Sequence, residues 1–351
     1  MERPNDTGVL SAVWHAAKDV RIERRVRPAL GPGEVRLRVS RCGICGSDMH
    51  EYLNGPHAIP VDAPHPISGV VAPLVLGHEF TGEVLETSGD CGSLKIGHRV
   101  AVEPEYRCGK CAACLRGDYN LCEKMGFAGL MGHGGMAEEA VVPHYMLHAL
   151  PDEVTDRQAA VLEPAAVALH ALRRSGLTVG QSVVVVGAGP IGLLLVQFAA
   201  VAGAKRIVVS DVSDARLSRA RALGATETVN STSSHLPTLA QGVDLAFEAV
   251  GVQRTLDDAI LSVRKGGKVI LVGLFSMPAQ VDAFDLVNRE VEIIPSCGYR
   301  HVYPDLIGMI AGGVVDPSLI VTREVPLTEV VTGGFERLAT SHDDVKVLVA
   351  P

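Results

Sequence analysis

The sequence predicts an α/β protein: a doubly wound parallel sheet with helices on both faces, joined to a discontinuous, mainly antiparallel β domain. Three observations carry this expectation. The stretch Ser182 to Gly192, SVVVVGAGPIG, runs a wholly apolar strand straight into G-x-G-x-x-G, the strand, turn and helix start of a Rossmann dinucleotide-binding unit. From about residue 159 onward, strand and helix patterns alternate, whereas the residues before it read as short alternating strands with Gly and Pro turns. The tail 298–351 carries no cofactor motif and closes on an apolar strand, so it is expected to return to the first domain. The expected division is 1–160 as a catalytic domain containing a cysteine lobe at about 104–125, 161–297 as the dinucleotide domain, and 298–351 as the return.

Composition fits an ordinary globular chain, with 47% hydrophobic and 21% charged residues among 351. The net charge of -8, with both signs interspersed, offers no phosphate-seeking face. Nucleic acid and anionic membrane are therefore not expected as partners. Asp6, Lys18, Asp19 and Glu23 interrupt the first thirty residues, which argues against a signal peptide and for a cytoplasmic protein. Residues 183–204 are apolar enough to suggest a membrane span, but the Gly-Pro break at the centre splits them into strand and helix.

Taken in order, residues 12–15, 20–23 and 34–39 read as antiparallel strands, with Gly31-Pro32-Gly33 as a turn. A proline- and glycine-rich loop spans residues 55–73, and residues 136–142 read as a further strand. In the dinucleotide unit, Gly187 permits the tight turn and Gly189 lets the backbone approach a pyrophosphate. Gly192 allows the helix of about residues 190–201, which opens on Pro190 and Ile191, to pack closely on the strand. Asp211 ends the next strand nineteen residues beyond Gly192, where its carboxylate can take ribose hydroxyls and repel a 2′-phosphate. NAD(H) is thus expected over NADP(H). Arg216, one helical turn on, is the residue that could blunt this preference. Strands at 243–248, 268–273 and 291–294 complete the sheet, those at 268–275 and 291–294 being read as outer strands that invite association. Beyond 298, helices are expected at 303–311 and 327–338 and strands at 320–325 and 345–349.

Eight cysteines in a chain without an export signal suggest metal binding before disulfides. Cys108, Cys111, Cys114 and Cys122 follow C-x2-C-x2-C-x7-C, a spacing that fits a closed tetrahedral thiolate site for structural zinc, with an iron–sulfur centre as the alternative. Cys42 and Cys45 form a C-x-x-C that could be a redox pair or half of a zinc site.

CGICGSD at 42–48, GHEFTGEV at 77–84, the four-cysteine lobe and GAGPIG, in this order, resemble the zinc-dependent medium-chain alcohol dehydrogenases over essentially the whole chain. HEYLNGP at 50–56, EPAAVA at 163–168 and the closing VKVLV point to the butanediol and polyol branch of that family. The resemblance implies a GroES-like catalytic domain and two zinc ions per chain. Cys45, His78 and Glu163 would hold the catalytic one, and the four cysteines of the lobe the structural one. It implies that Glu79 sits close to the catalytic metal, that Asp48 orients His78, and that Ser47 and His50 form the proton relay. It further implies NAD(H)-linked interconversion of 2,3-butanediol and acetoin, with diacetyl as a further substrate. Sorbitol or threonine oxidation is the alternative within the family. The small-molecule partner would be a vicinal diol or hydroxyketone, and the assembly a homodimer or homotetramer. The loop from His50 to Pro66 is expected to line the substrate pocket between metal and nicotinamide, its apolar Leu53, Ile59 and Val61 favouring a short diol with methyl ends. A zinc-stabilised NAD(H)-binding sensor without turnover is the rival from another class.

Overall fold

The computed structural model describes residues 8–341 and 343–351; Asp6 lies outside them. Contacts divide the chain into two compact units. The first comprises residues up to Glu163 together with Tyr303–Ala311 and Val321–Pro351, and the second Pro164–Val302 with Gly312–Ile320.

In the first unit, strands Val9–Ala16 and Asp19–Arg25 pair antiparallel, and Val9–Ala16 also takes the short strand Leu74–Val75. The larger sheet places Glu34–Gly43 at its centre, antiparallel to Glu79–Thr87, Glu139–Pro143 and Lys346–Ala350. Lys346–Ala350 in turn runs parallel to Val321–Pro326. Alternation explains these pairings: Val35, Leu37 and Val39 point into a core shared with Trp14, Phe80, Phe335 and Val347, all buried.

The second unit is a parallel sheet with strand order Glu227–Asn230, Arg206–Asp211, Ser182–Val186, Val243–Glu248, Val263–Leu271 and Glu292–Pro295. Ser182–Val186 is buried on both faces, as a near-continuous valine run requires. Helix Pro190–Val201 follows it, starting on proline at a position where no backbone donor is lost.

Three expectations are corrected in detail. The helix read at 327–338 is a 3₁₀ turn, Leu327–Glu329, then a π turn, Val330–Phe335, then helix Glu336–Thr340. Gly333 and Gly334 weaken the α ladder, and a Cβ on Gly334 would stand 2.6 Å from the Ile44 side chain, so glycine is needed for close approach rather than for helix. The strand read at 136–142 begins only at Glu139, because Met136 bonds across to Ala12 and Leu76 instead. Of the two outer strands, only Glu292–Pro295 is at the edge; Val263–Leu271 pairs on both sides. No helix among the described residues is long and apolar enough to cross a membrane.

Candidate metal centres and dinucleotide site

Cys45 caps helix Gly46–Asn54, its backbone N–H donating to Asp48 Oδ2 at 2.9 Å. That bond leaves Asp48 Oδ1 free to face His78 Nδ1 at 3.6 Å, with both atoms buried and no other hydrogen-bond partner for either. The other ring nitrogen, Nε2, lies 3.3 Å from Ser47 Oγ. Cys45, His78 and Glu79 bring ligand atoms within 4.8 Å of one another. Burial works against a charge on His78, but the Asp48 carboxylate and the Cys45 sulfur outweigh it and hold the imidazole pKa well above its ordinary value. A thiol, an imidazole and a carboxylate gathered in one buried corner are a zinc-type donor set.

The resemblance implies Glu163 as third ligand, with Glu79 close by. Among the described residues Glu79, the strand residue next to His78, clusters with the thiol and the imidazole, while Glu163 sits buried in the first turn of helix Leu162–Ser175 and acts electrostatically on Lys346. Lys346 is not among the residues that sequence analysis singles out. Its ammonium is buried and donates to both oxygens of fully buried Glu79 at 2.7 Å, and to the Ile44 carbonyl at 2.9 Å. Burial disfavours this charge, yet Glu79, followed by Cys45 and Glu163, raises the pKa of Lys346. The signal was available: a lysine inside an apolar strand is almost never buried without a partner. His50 is exposed, one turn beyond Ser47 on the same helix. Tyr52 stacks on Phe335 at 4.9 Å between ring centroids, and Ile59 belongs to the core with Leu53 packed against it. The apolar side chains read as pocket lining are therefore largely spent on packing.

The cysteine lobe gathers Cys108, Cys111, Cys114 and Cys122, again with sulfurs within 4.8 Å. Backbone N–H groups of Cys114 and Glu123 draw the Cys111 thiol down to about 6, whereas burial and its neighbours push Cys114 up to about 12. Four sulfurs this close cannot all ionise without a cation among them, which is what a structural metal provides. Cys42, Cys91 and Cys297 stand outside both groups, and no cysteine forms a disulfide.

In the second unit, Gly187 has φ +100°, and a Cβ on Gly192 would lie 1.8 Å from the Gly187 carbonyl oxygen, so both positions demand glycine. A Cβ on Gly189 would meet nothing within 4 Å. Open space over a helix N-terminus is what a dinucleotide pyrophosphate needs. Asp211 Oδ2 accepts from Ala188 N at 2.7 Å and Oδ1 from Ser213 N at 2.9 Å, so the carboxylate also ties the glycine turn to the next loop. Ser213 caps helix Asp214–Ala222, whose first turn holds Arg216. On the strand Val243–Glu248, which pairs with Ser182–Val186, fully buried Glu248 accepts from Val250 N, Gly251 N and Thr255 Oγ1 and so shapes the neighbouring loop; sequence analysis does not single it out.

Comparison with known proteins gives the family. Residues 31–152 match the alcohol dehydrogenase GroES-like domain and residues 190–312 the zinc-binding dehydrogenase domain. The chain is 40% identical to the (R,R)-butanediol dehydrogenase of Bacillus subtilis, over 97% of this chain and 99% of that protein. It belongs to the zinc-binding alcohol dehydrogenase family. Within that family it is also 34% identical to the sorbitol dehydrogenase of Bacillus subtilis, over 97% of each chain. The crystal structure of 2R,3R-butanediol dehydrogenase from Bacillus subtilis superposes with a TM-score of 0.91 at 39% identity, covering 98% of this chain and 99% of that one. Two dehydrogenase structures were solved with dinucleotides. A putative zinc-binding dehydrogenase of Sinorhizobium meliloti holds NADP, at TM-score 0.88 and 27% identity over 98% of this chain and 99% of that one. A short chain alcohol dehydrogenase of Escherichia coli holds NADH, at 0.89 and 28% over 98% and 100%.

Proposed function

We propose that this dehydrogenase interconverts a vicinal diol and its hydroxyketone, 2,3-butanediol and acetoin, with NAD(H). The observation that carries the reading is the half-buried Cys45 with buried His78 and Glu79, beside Ser47; the 40% identity to a butanediol dehydrogenase supports the substrate. In this reading Cys45 and His78 hold the catalytic zinc with a carboxylate from Glu79 or Glu163, and the four cysteines of the lobe hold a structural zinc. A zinc ion so held supplies Lewis-acid polarisation of the substrate oxygen, the nicotinamide taking or giving the hydride. The chain's own groups do the rest. Asp48 faces the far nitrogen of His78 and fixes its tautomer and orientation. The Ser47 hydroxyl stands where it can take the alcohol proton, and His50, exposed three residues on along the same helix, passes it to water.

A polyol reading also has support, from the sorbitol dehydrogenase relative and from Ile59 and Leu53 turning inward, which leaves fewer apolar groups to favour methyl ends. Steady-state assay of the (R,R)-, meso- and (S,S)-butanediols against sorbitol and threonine decides between them. The expected result is a kcat/KM for (R,R)-butanediol at least about tenfold above sorbitol, a gap of ~1.4 kcal/mol in transition-state binding. A higher value for sorbitol or threonine than for every butanediol isomer would overturn the assignment, and a purified, metal-replete protein that binds NADH but turns over none of them would favour the sensor.

The preference for NAD(H) rests on Asp211. Wild-type enzyme is expected to use NADH at least about tenfold more efficiently than NADPH, and Asp211→Ala to shrink that ratio. Because Asp211 also accepts from Ala188 N and Ser213 N, both cofactors will bind the variant less well, so the ratio is the quantity to read. Equal use of the two cofactors by wild type would refute the role.

We further infer a homodimer or homotetramer assembled through the second unit's edge strand Glu292–Pro295. Near it in sequence, Phe284 and Val287 are 79% and 75% exposed, an apolar cost that pairing removes. Light scattering at micromolar concentration should give at least twice the 37.0 kDa chain mass; a monomer would count against it.

A further inference from the structure

The helix capped by Cys45 carries in its last turn a residue with no assigned role. Glu51 is buried, at 1% exposure, and among the described residues its carboxylate meets no cation. Its Oε1 and Oε2 accept from His57 N at 3.1 and 3.0 Å, and Oε1 also from Ala58 N at 2.5 Å and, weakly, from Ile59 N at 3.4 Å. The main-chain oxygen of the same residue accepts from Trp14 Nε1 at 3.0 Å and Gly55 N at 3.1 Å. A Cβ on Gly55 would lie 2.5 Å from Glu51 O and from Glu51 Oε2, so the chain must pass at this point as glycine. Burying a carboxylate is costly unless it is well bonded, and bonds to an ionised acceptor are about twice as strong as neutral ones. An ordinary turn closes on neutral groups. Here a charge grips three successive backbone N–H groups, and does so from the helix whose other end presents Cys45, Ser47 and Asp48.

We propose that Glu51 is a positioning residue for substrate choice. It locks residues 57–59 to the helix that carries Cys45 and Ser47, with the His57 ring edge-on to that of His50 at 6.4 Å, so that the segment forms a rigid wall beside the relay for the alcohol. The wall is held by backbone bonds, so its position does not depend on which side chains line it. This inference rests on the dehydrogenase reading above, and it names the residue on which selectivity between short diols and long polyols depends.

The test uses the metal-replete full-length enzyme and its Glu51→Gln and Glu51→Asp variants. Glu51→Gln is expected to keep its zinc content, its NADH affinity within about twofold and its kcat within about threefold. KM for butanediol should rise at least about tenfold, and the ratio of kcat/KM for butanediol over sorbitol should change at least about tenfold from the wild-type ratio. Glu51→Asp, which keeps the charge on a shorter arm, should recover part of that ratio. A Glu51→Gln enzyme whose selectivity ratio matches wild type, or whose kcat and KM shift alike for both substrates, overturns the proposal. Should that variant fail to fold, hydrogen exchange on wild type decides: the amides of His57, Ala58 and Ile59 are expected to be protected, and free exchange at all three refutes the clamp. Failure of the butanediol reading would instead show in the wild-type substrate ranking, whatever Glu51→Gln does to the ratio.

Discussion

A Cys45→Ser enzyme is expected to lose at least about a thousandfold in kcat while remaining folded. Among the described residues Cys45 is the one sulfur in its ligand group, and Lewis-acid activation lowers the barrier by several kcal/mol, ~4 kcal/mol corresponding to about three orders of magnitude. Cys111→Ser should fail in another way. It opens the cysteine lobe, so zinc content and thermal stability fall while the Cys45 site keeps its metal. Metal analysis should therefore give two zinc ions per chain for wild type and one for each variant, with activity following only the Cys45 site. Asp48 and Cys45 raise the His78 pKa against the effect of burial, so a metal competes with a proton for the imidazole, and zinc affinity at this site should weaken as pH falls. A single zinc in fully active wild type would sink the two-site account.

The second large effect is expected at Lys346. In metal-stripped protein, replacing it by methionine leaves Glu79 as a buried charge with no cation, and breaking one side of such a pair costs about 3–5 kcal/mol. For units of this size that is a fall in Tm of about 6–20 °C. Lys346→Met combined with Glu79→Gln should recover much of the loss, since the uncompensated charge is gone. Thermal unfolding of the two single variants and the double variant gives the coupling directly. If the double variant is no more stable than Lys346→Met alone, the buried pair is not what Lys346 contributes.

Much of this was readable in the sequence because local rules acted alone. Four consecutive valines before Gly187 need burial on both faces, and the parallel sheet supplies it. The cysteine spacing at 108–122 closes within one loop, so no distant partner was needed to see it. What escaped depends on long-range pairing. Glu79 and Lys346 are 267 positions apart, and no local pattern says that the strand carrying one will lie beside the strand carrying the other. Resemblance named both Glu163 and Glu79 for this corner, but it carried no sign of the lysine that both carboxylates act on. Glu51 escaped because its partners are backbone amides, which carry no residue signature. Gly333 and Gly334 misled in the other direction, their apolar neighbours giving a helical period to a segment that close approach to Ile44 holds in wider turns.

The strand Lys346–Ala350 lies between Glu34–Gly43 and Val321–Pro326 in the sheet of the first unit. During synthesis its partners at 34–43 are made some three hundred residues earlier, at ordinary elongation rates about fifteen to sixty seconds before it. Throughout that interval the nascent sheet has an open side, and Glu79 waits there without its counter-ion. The corner that gathers Cys45, His78 and Glu79 therefore cannot close until residues 346–350 have emerged, and a chain arrested or clipped before them would present an unfilled strand position to whatever protein it meets first.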